Sequence, residues 1–208
     1  AALRLDELPT SLVSIGGGVI GVELAGIYKA FGADVTIVEF LPAILSTLDG
    51  ELAKFAAKRL AAQGVRILTA TKVTKISGTR GNLTVFADSA EGALELSCSH
   101  VLSCAGRVPN ADVLKLEAAG IAFDRKGIKV DENYQTNVPG VYAIGDVTGR
   151  MMLAHVASEE GRVCVERICG LSSRVDYALV PSCVFAYPEM ASIGKTEEQL
   201  KAEGTDYA

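Results

Sequence analysis

Hydrophobic positions in the first third of the chain alternate between short β-branched runs and longer stretches with helical spacing. Leu12-Val-Ser-Ile15, Val35-Thr-Ile-Val38 and Val65-Arg-Ile-Leu68 read as strands, while Val19 to Phe31 and Glu51 to Ala62 read as helices. Strands that alternate with helices imply βαβ units around a parallel sheet. Between Lys72 and Ser97 the helical period disappears. Three strand-like runs (Val73 to Ile76, Leu83 to Ala87, Leu94 to Leu96) are separated by turn residues at 78–82 and at Glu91-Gly92, the pattern of a β-meander. Val101-Leu-Ser-Cys104 then predicts a buried strand returning to the parallel sheet, with Pro109 beyond it as a stop.

Past Phe123 the pattern thins. Ile128 to Val130 and, more strongly, Gly140 to Ile144 have strand character, and Met152 to Ile168 predicts a helix closed by Gly170. Strands follow at Ser182 to Ala186 and Ala191 to Ile193. A last helix opens at Thr196, which has capping-box spacing to Gln199. The strands after Phe123 are too few to build a sheet of their own, and the last helix has no apolar partner after it. The expectation is therefore a piece of something larger.

Composition narrows the class. The 208 residues are 49% hydrophobic and 22% charged, which excludes a disordered chain. With 20 basic against 25 acidic residues, dispersed along the chain, the formal charge of −5 argues against a nucleic-acid partner. The longest uncharged stretch, Leu8 to Val22, contains three glycines and falls short of the roughly 18 apolar residues of a membrane span. AALRLDEL lacks the layout of a signal peptide. The 5 cysteines, an odd number, suggest reduced thiols and an intracellular, cytoplasmic setting, and no metal-ligand spacing stands out.

The strongest chemical signal is Gly16-Gly17-Gly18-Val19-Ile20-Gly21, a G-x-G-x-x-G that follows a predicted strand and opens a predicted helix. Gly16 allows the tight turn, Gly18 clears space for a pyrophosphate, and Gly21 lets helix and strand approach. The phosphates would rest on the helix N-terminus, where free N–H groups and the macrodipole favour anions. Glu39 ends the second strand about 20 residues on, where a carboxylate accepts hydrogen bonds from a ribose diol and repels a 2′-phosphate. No Arg or Lys lies between Phe40 and Ala53, so NAD is expected over NADP. Glu23, in the first turns of the same helix, reads equally as a dipole-compatible carboxylate or as a cofactor-side group. A second motif, Thr136 to Asp146, ends a predicted strand in Gly145-Asp146 at the sheet edge, where ligands gather.

These residues together resemble the flavin-dependent pyridine nucleotide-disulfide oxidoreductases, the dihydrolipoyl dehydrogenase branch in particular. Val141 to Val147 is similar to that family's second FAD motif, and Met152-Leu-Ala-His155 to its flavin-side segment. Ser158-Glu-Glu-Gly161 and Pro181 to Gly194 continue the similarity, as do Val19 to Leu24, Val38 to Leu41, Thr71 to Val73 and Ala105 to Pro109. The resemblance implies an α/β, Rossmann-like NAD-binding domain over 1–122, the C-terminal part of an FAD domain over 123–172 and the start of an interface domain over 173–208. It implies NAD contacts from Gly16, Gly17, Gly18, Val19, Ile20, Gly21, Val22, Glu23, Glu39, Val73 and Gly106, and FAD contacts from Asp146, Met152, Leu153, Ala154 and His155. The implied parent is a homodimeric oxidoreductase passing electrons from dihydrolipoamide, carried on a lipoyl domain of a 2-oxoacid dehydrogenase complex or a glycine-cleavage protein, through a redox disulfide and FAD to NAD⁺.

The family's first FAD motif, redox Cys-x4-Cys and His-Glu pair have no counterpart here, so no catalytic residue is assigned and this chain alone is expected to be inactive. Cys164 and Cys169 have Cys-x4-Cys spacing, but five residues of helix turn through ~500° and point the sulfurs apart. His100, at a strand start, reads as structural. Two alternatives stand beside the main reading. One is another reductase of the same superfamily, glutathione-, mercury- or NADP-linked; the other is a non-catalytic NAD-binding module.

Overall fold

The computed structural model describes residues 2–207. The chain forms two compact units: Ala1–Gly106 with Pro181–Ala208, and Arg107–Val180. The stretch 107–122 thus groups with the second unit.

The first unit is built on a four-stranded sheet in the order β3-β2-β1-β7, with β1 at Ser11–Ile15, β2 at Asp34–Val38, β3 at Arg66–Leu68 and β7 at His100–Ser103. All its pairings are parallel, with Leu12 opposite both Val35 and His100. Helices α1 (Val19–Ala30) and α2 (Gly50–Ala62) supply the crossovers. Alternation along the strands sends side chains to two different cores. Leu12, Val35 and Ile37 pack with Val22, Ala25, Ala53, Ala56 and Leu60 of the helices. Val13 and Val38 face the other way, onto Val85 and Leu96 of the antiparallel meander β4 (Lys72–Thr79), β5 (Asn82–Ser89) and β6 (Gly92–Cys98). Burial on both faces explains why the parallel strands read as nearly continuous apolar runs.

Residues 181–207 complete this unit. A short hairpin, β10 (Ser182–Val184) with β11 (Met190–Ser192), sets Val184 and Met190 into the helix-side core. β10 ends two residues short of the expected Ala186, and β11 keeps the expected three residues but begins one position earlier. The last helix, α4 (Glu197–Glu203), carries the expected capping box: Gln199 N–H donates to Thr196 Oγ1 and Thr196 N–H to Gln199 Oε1. α4 buries no residue, and polar contacts hold it instead. Asp49, the N-cap of α2, accepts from Glu51 N–H and also from Glu197 N–H, while Glu198 Oε1 accepts from Gly50 N–H. Two helix N-termini share one pair of carboxylates.

The second unit holds helix α3 (Ala154–Ile168), short 3₁₀ turns, and a hairpin of β8 (Phe123–Asp124) with β9 (Gly127–Ile128). The strand expected at 140–144 does not form. Gly140 (φ +78°) turns the chain back on 134–136, and Tyr134 (φ +64°) ends the pairing after a single bridge, Gln135 to Tyr142. Of the strand expected at Ile128–Val130 only Ile128 is paired, as the second residue of β9 after Gly127. α3 begins at Ala154, with Leu153 as its extended N-cap, rather than at Met152, and Gly170 (φ +84°) closes it as expected. All cysteines are free; Cys164 is buried and Cys169 exposed, as the helical geometry requires of sulfurs on different faces.

Candidate functional site

Gly16 leaves β1 with φ +108°, and a Cβ there would stand 2.4 Å from the Cys104 carbonyl oxygen. At Gly21 a Cβ would meet the Gly16 carbonyl oxygen at 2.0 Å, so α1 lies as close to the loop as a side chain's absence allows. Ser14, fully buried, donates to Gly21 O on the same contact. Gly18 differs. Its backbone is extended (φ −72°, ψ −177°), it is the N-cap of α1, and nothing lies within 4 Å of where a Cβ would project. Space is left open above the first N–H groups of α1, which in any helix lack intrahelical acceptors.

That space belongs to a cleft of about 600 Å³ at the C-terminal ends of β1 and β2. Gly16, Gly17, Gly18, Glu39, Val73 and Gly106 all line it, so residues far apart in sequence meet at one wall. Glu39 is fixed by two backbone donors: Gly17 N–H to Oε2 at 2.5 Å and Leu41 N–H to Oε1 at 2.7 Å. A carboxylate has about four lone-pair sites, so acceptor capacity remains for a diol. Phe40, Leu41, Ser46, Thr71, Lys72, Cys104 and Ala105 also line the cleft. Burial pushes the Cys104 thiol up from its ordinary value, which keeps it protonated.

Lys72 adds a basic residue to the lining of the same cleft as Glu39. It comes from the start of β4, outside the stretch without Arg or Lys that follows β2, and only the folded chain brings it to the cleft. The remaining predicted positions lie elsewhere. Val22 is fully buried in the core, Gly21 is packed against the loop, and Val19 and Ile20 are in the first turn of α1. Glu23 lies beyond the first turn, where the dipole effect has faded. Its Oε1 instead accepts from Phe185 N–H at 2.8 Å, and it borders a second cavity of about 480 Å³ with Ile27, Lys29, Gln63 and Phe185.

In the second unit, Asp146 sits in a 3₁₀ turn, Gly145–Thr148, opened by Gly145 at φ +69°. Its carboxylate pairs with Arg107 at 3.2 Å, both side chains about half exposed, and the same guanidinium donates to Met152 O. Met152 and Leu153 lead into α3, and Ala154 and His155 are its first, exposed residues. Arg107 therefore joins the two segments that the sequence assigns to one ligand, a link that only its place beside Gly106 could have suggested.

A parallel sheet with a glycine loop opening a helix, and a carboxylate closing the second strand, defines a dinucleotide-binding fold of the Rossmann type. The model of the pyridine nucleotide-disulphide oxidoreductases matches residues 1–161. The chain belongs to that family. It is 43% identical over 208 residues to dihydrolipoyl dehydrogenase of Cupriavidus necator, covering 99% of this chain and 44% of that protein. It is 44% identical over 211 residues to the mitochondrial dihydrolipoyl dehydrogenase of Bos taurus, covering 99% of this chain and 42% of that one. Among solved structures, an HOCl-induced flavoprotein disulfide reductase from Escherichia coli superposes with a TM-score of 0.89 at 34% identity, over 98% of this chain and 47% of that one. The chain thus spans less than half the length of these relatives. Among the described residues no helix is long and apolar enough to cross a membrane.

Proposed function

We propose that the first unit is the NAD-binding part of a dihydrolipoyl dehydrogenase and that the second contributes part of its FAD site. The observation that carries this is Gly18: its open Cβ position faces the same cleft whose wall holds the anchored Glu39 carboxylate. The pyrophosphate of NAD lies over the N-terminus of α1, against backbone N–H groups, and Glu39 accepts from the adenosine ribose hydroxyls. Val73 and Gly106 bound the cleft, and Gly106 offers backbone without a side chain. In the second unit Asp146 accepts from the ribityl hydroxyls of FAD, with Met152 to His155 along the flavin. FAD supplies the two-electron chemistry between a dihydrolipoamide-reduced disulfide and NAD⁺. The residues here bind and orient, and the parent is a homodimer acting on lipoyl domains.

Lys72, a basic residue among those lining the cleft, favours a second reading, an NADP-linked reductase of the same family, because a 2′-phosphate bound in that cleft needs a cation. Calorimetric titration with NADH, NADPH and FAD separates the two. NADH binding that is tighter than NADPH binding and lost on Glu39→Arg is the expected result, with FAD not retained at micromolar concentration and no lipoamide turnover. Tighter NADPH binding selects the second reading, and binding of neither nucleotide overturns both.

A further inference from the structure

The second unit contains one buried carboxylate, Glu160 on α3, at 1% exposure. Moving a carboxylate out of water costs several kcal/mol unless donors replace the lost hydration. Both oxygens have such donors, and both donors are neutral. Gly145 N–H donates to Oε2 at 2.6 Å and Tyr177 O–H to Oε1 at 2.6 Å. Tyr134 and Tyr177 hydroxyls lie 3.3 Å apart, and the Arg150 guanidinium stacks 5.6 Å from the Tyr134 ring centre. Burial first, and the bond to Glu160 second, push the Tyr177 hydroxyl well above its ordinary range, so it stays a donor.

The acceptor at Gly145 is placed to matter. Gly145 is the residue before Asp146, it has φ +69°, and a Cβ on it would lie 2.9 Å from Ala157 Cβ. The turn is pressed against α3 and pinned there from below by a residue two helical turns from the N-terminus of that helix. An apolar side chain of similar volume would satisfy packing alone, but only an acceptor can fix the direction of the Gly145 N–H, and with it the peptide plane that leads into Asp146.

We propose that Glu160 is the positioning residue of the flavin-side turn: through Gly145 N–H it sets the orientation in which Asp146 is presented, and Tyr177 holds the carboxylate in place. This rests on the reading of Asp146 as an FAD ligand. Glu160 itself touches no ligand. Its action ends at the backbone of the turn, and it reaches the Arg107–Asp146 pair only through that backbone.

The test uses the ¹⁵N-labelled chain, with amide hydrogen exchange at Gly145 and the Arg107 guanidinium signal as readouts. Glu160→Ala raises Gly145 exchange by at least about tenfold and shifts the Arg107 signal toward that of an unpaired guanidinium. Glu160→Gln, whose carbonyl oxygen still accepts from Gly145, restores protection to within about threefold and keeps the Arg107 signal. Tyr177→Phe, which leaves the carboxylate but frees one oxygen, gives an intermediate rise. Amides of Val163 and Cys164, in the buried part of α3 within the same unit, serve as the folding control. Equal Gly145 protection in wild type and Glu160→Ala overturns the proposal, as does a Gln variant as impaired as the Ala variant. If Glu160→Ala does not fold, Gln against Tyr177→Phe decides by the same criteria. The flavin reading fails separately: millimolar FAD added to the wild-type chain should shift signals within 145–155, and no shift there removes that reading while leaving the Gly145 result standing.

Discussion

Gly18 and Gly21 lie in one loop and answer to different constraints. The extended backbone of Gly18 suits any residue, and its Cβ position is empty. Gly18→Val is expected to cost about 1 kcal/mol of unfolding free energy, the loss of a favourable N-cap, while abolishing NADH binding in calorimetry. Gly21→Ala drives a methyl into the Gly16 carbonyl and should cost about 2 kcal/mol or more in denaturant unfolding. Lys72 permits a graded test: Lys72→Ala should weaken NADPH binding about twofold to fivefold, the range for an exposed ion pair, and leave NADH nearly unchanged. The glycines and Glu39 are legible in the sequence because a motif fixes their spacing to one strand and one helix. Lys72 is not, because its approach depends on where the meander begins, and Glu160 is not, because nothing in the sequence marks it as buried.

The same division runs through the elements. The βαβ core and the meander could be read because period and burial agree on the central strands, Leu12 and Val13 each having its own core. The strand expected at 140–144 failed for the opposite reason: apolar residues at strand spacing form a ladder only against a partner, and Tyr134 interrupts the one available. The α2–α4 contact was equally invisible, since Asp49 and Glu197 are 148 residues apart. Hydrogen bonds from Glu197 and Glu51 N–H hold the Asp49 carboxyl below its ordinary value of 3.8. A depressed carboxyl stabilises the folded form above its unfolded pKa and loses that contribution as pH falls through the folded one. The protection factors of the Glu197 and Glu51 amides, their exchange measured relative to the intrinsic rate at each pH, should therefore be constant from neutrality to about pH 5 and fall below pH 3.8. Asp49→Asn, which cannot match the carboxylate at both helix ends, should show faster exchange at neutral pH and no such transition.

For the molecule as a whole, a nucleotide that binds only the folded first unit must raise its unfolding temperature. NADH at one hundred times its dissociation constant is worth about 2.7 kcal/mol, a shift of several degrees in scanning calorimetry that Gly18→Val should erase. The same unit draws on two distant stretches of chain, and Val184, with no exposed surface, lies in the core that β1, β2, α1 and α2 build. Synthesis on the ribosome makes these stretches in order. When residues 11–106 have emerged, the sheet and its helices can assemble, but the seat of Val184 and Met190 stays open to solvent until β10 and β11 follow, after the whole of 107–180. For that interval the nascent first unit carries an exposed apolar hollow beside α1, a surface that a holding chaperone would recognise and that the finished chain conceals.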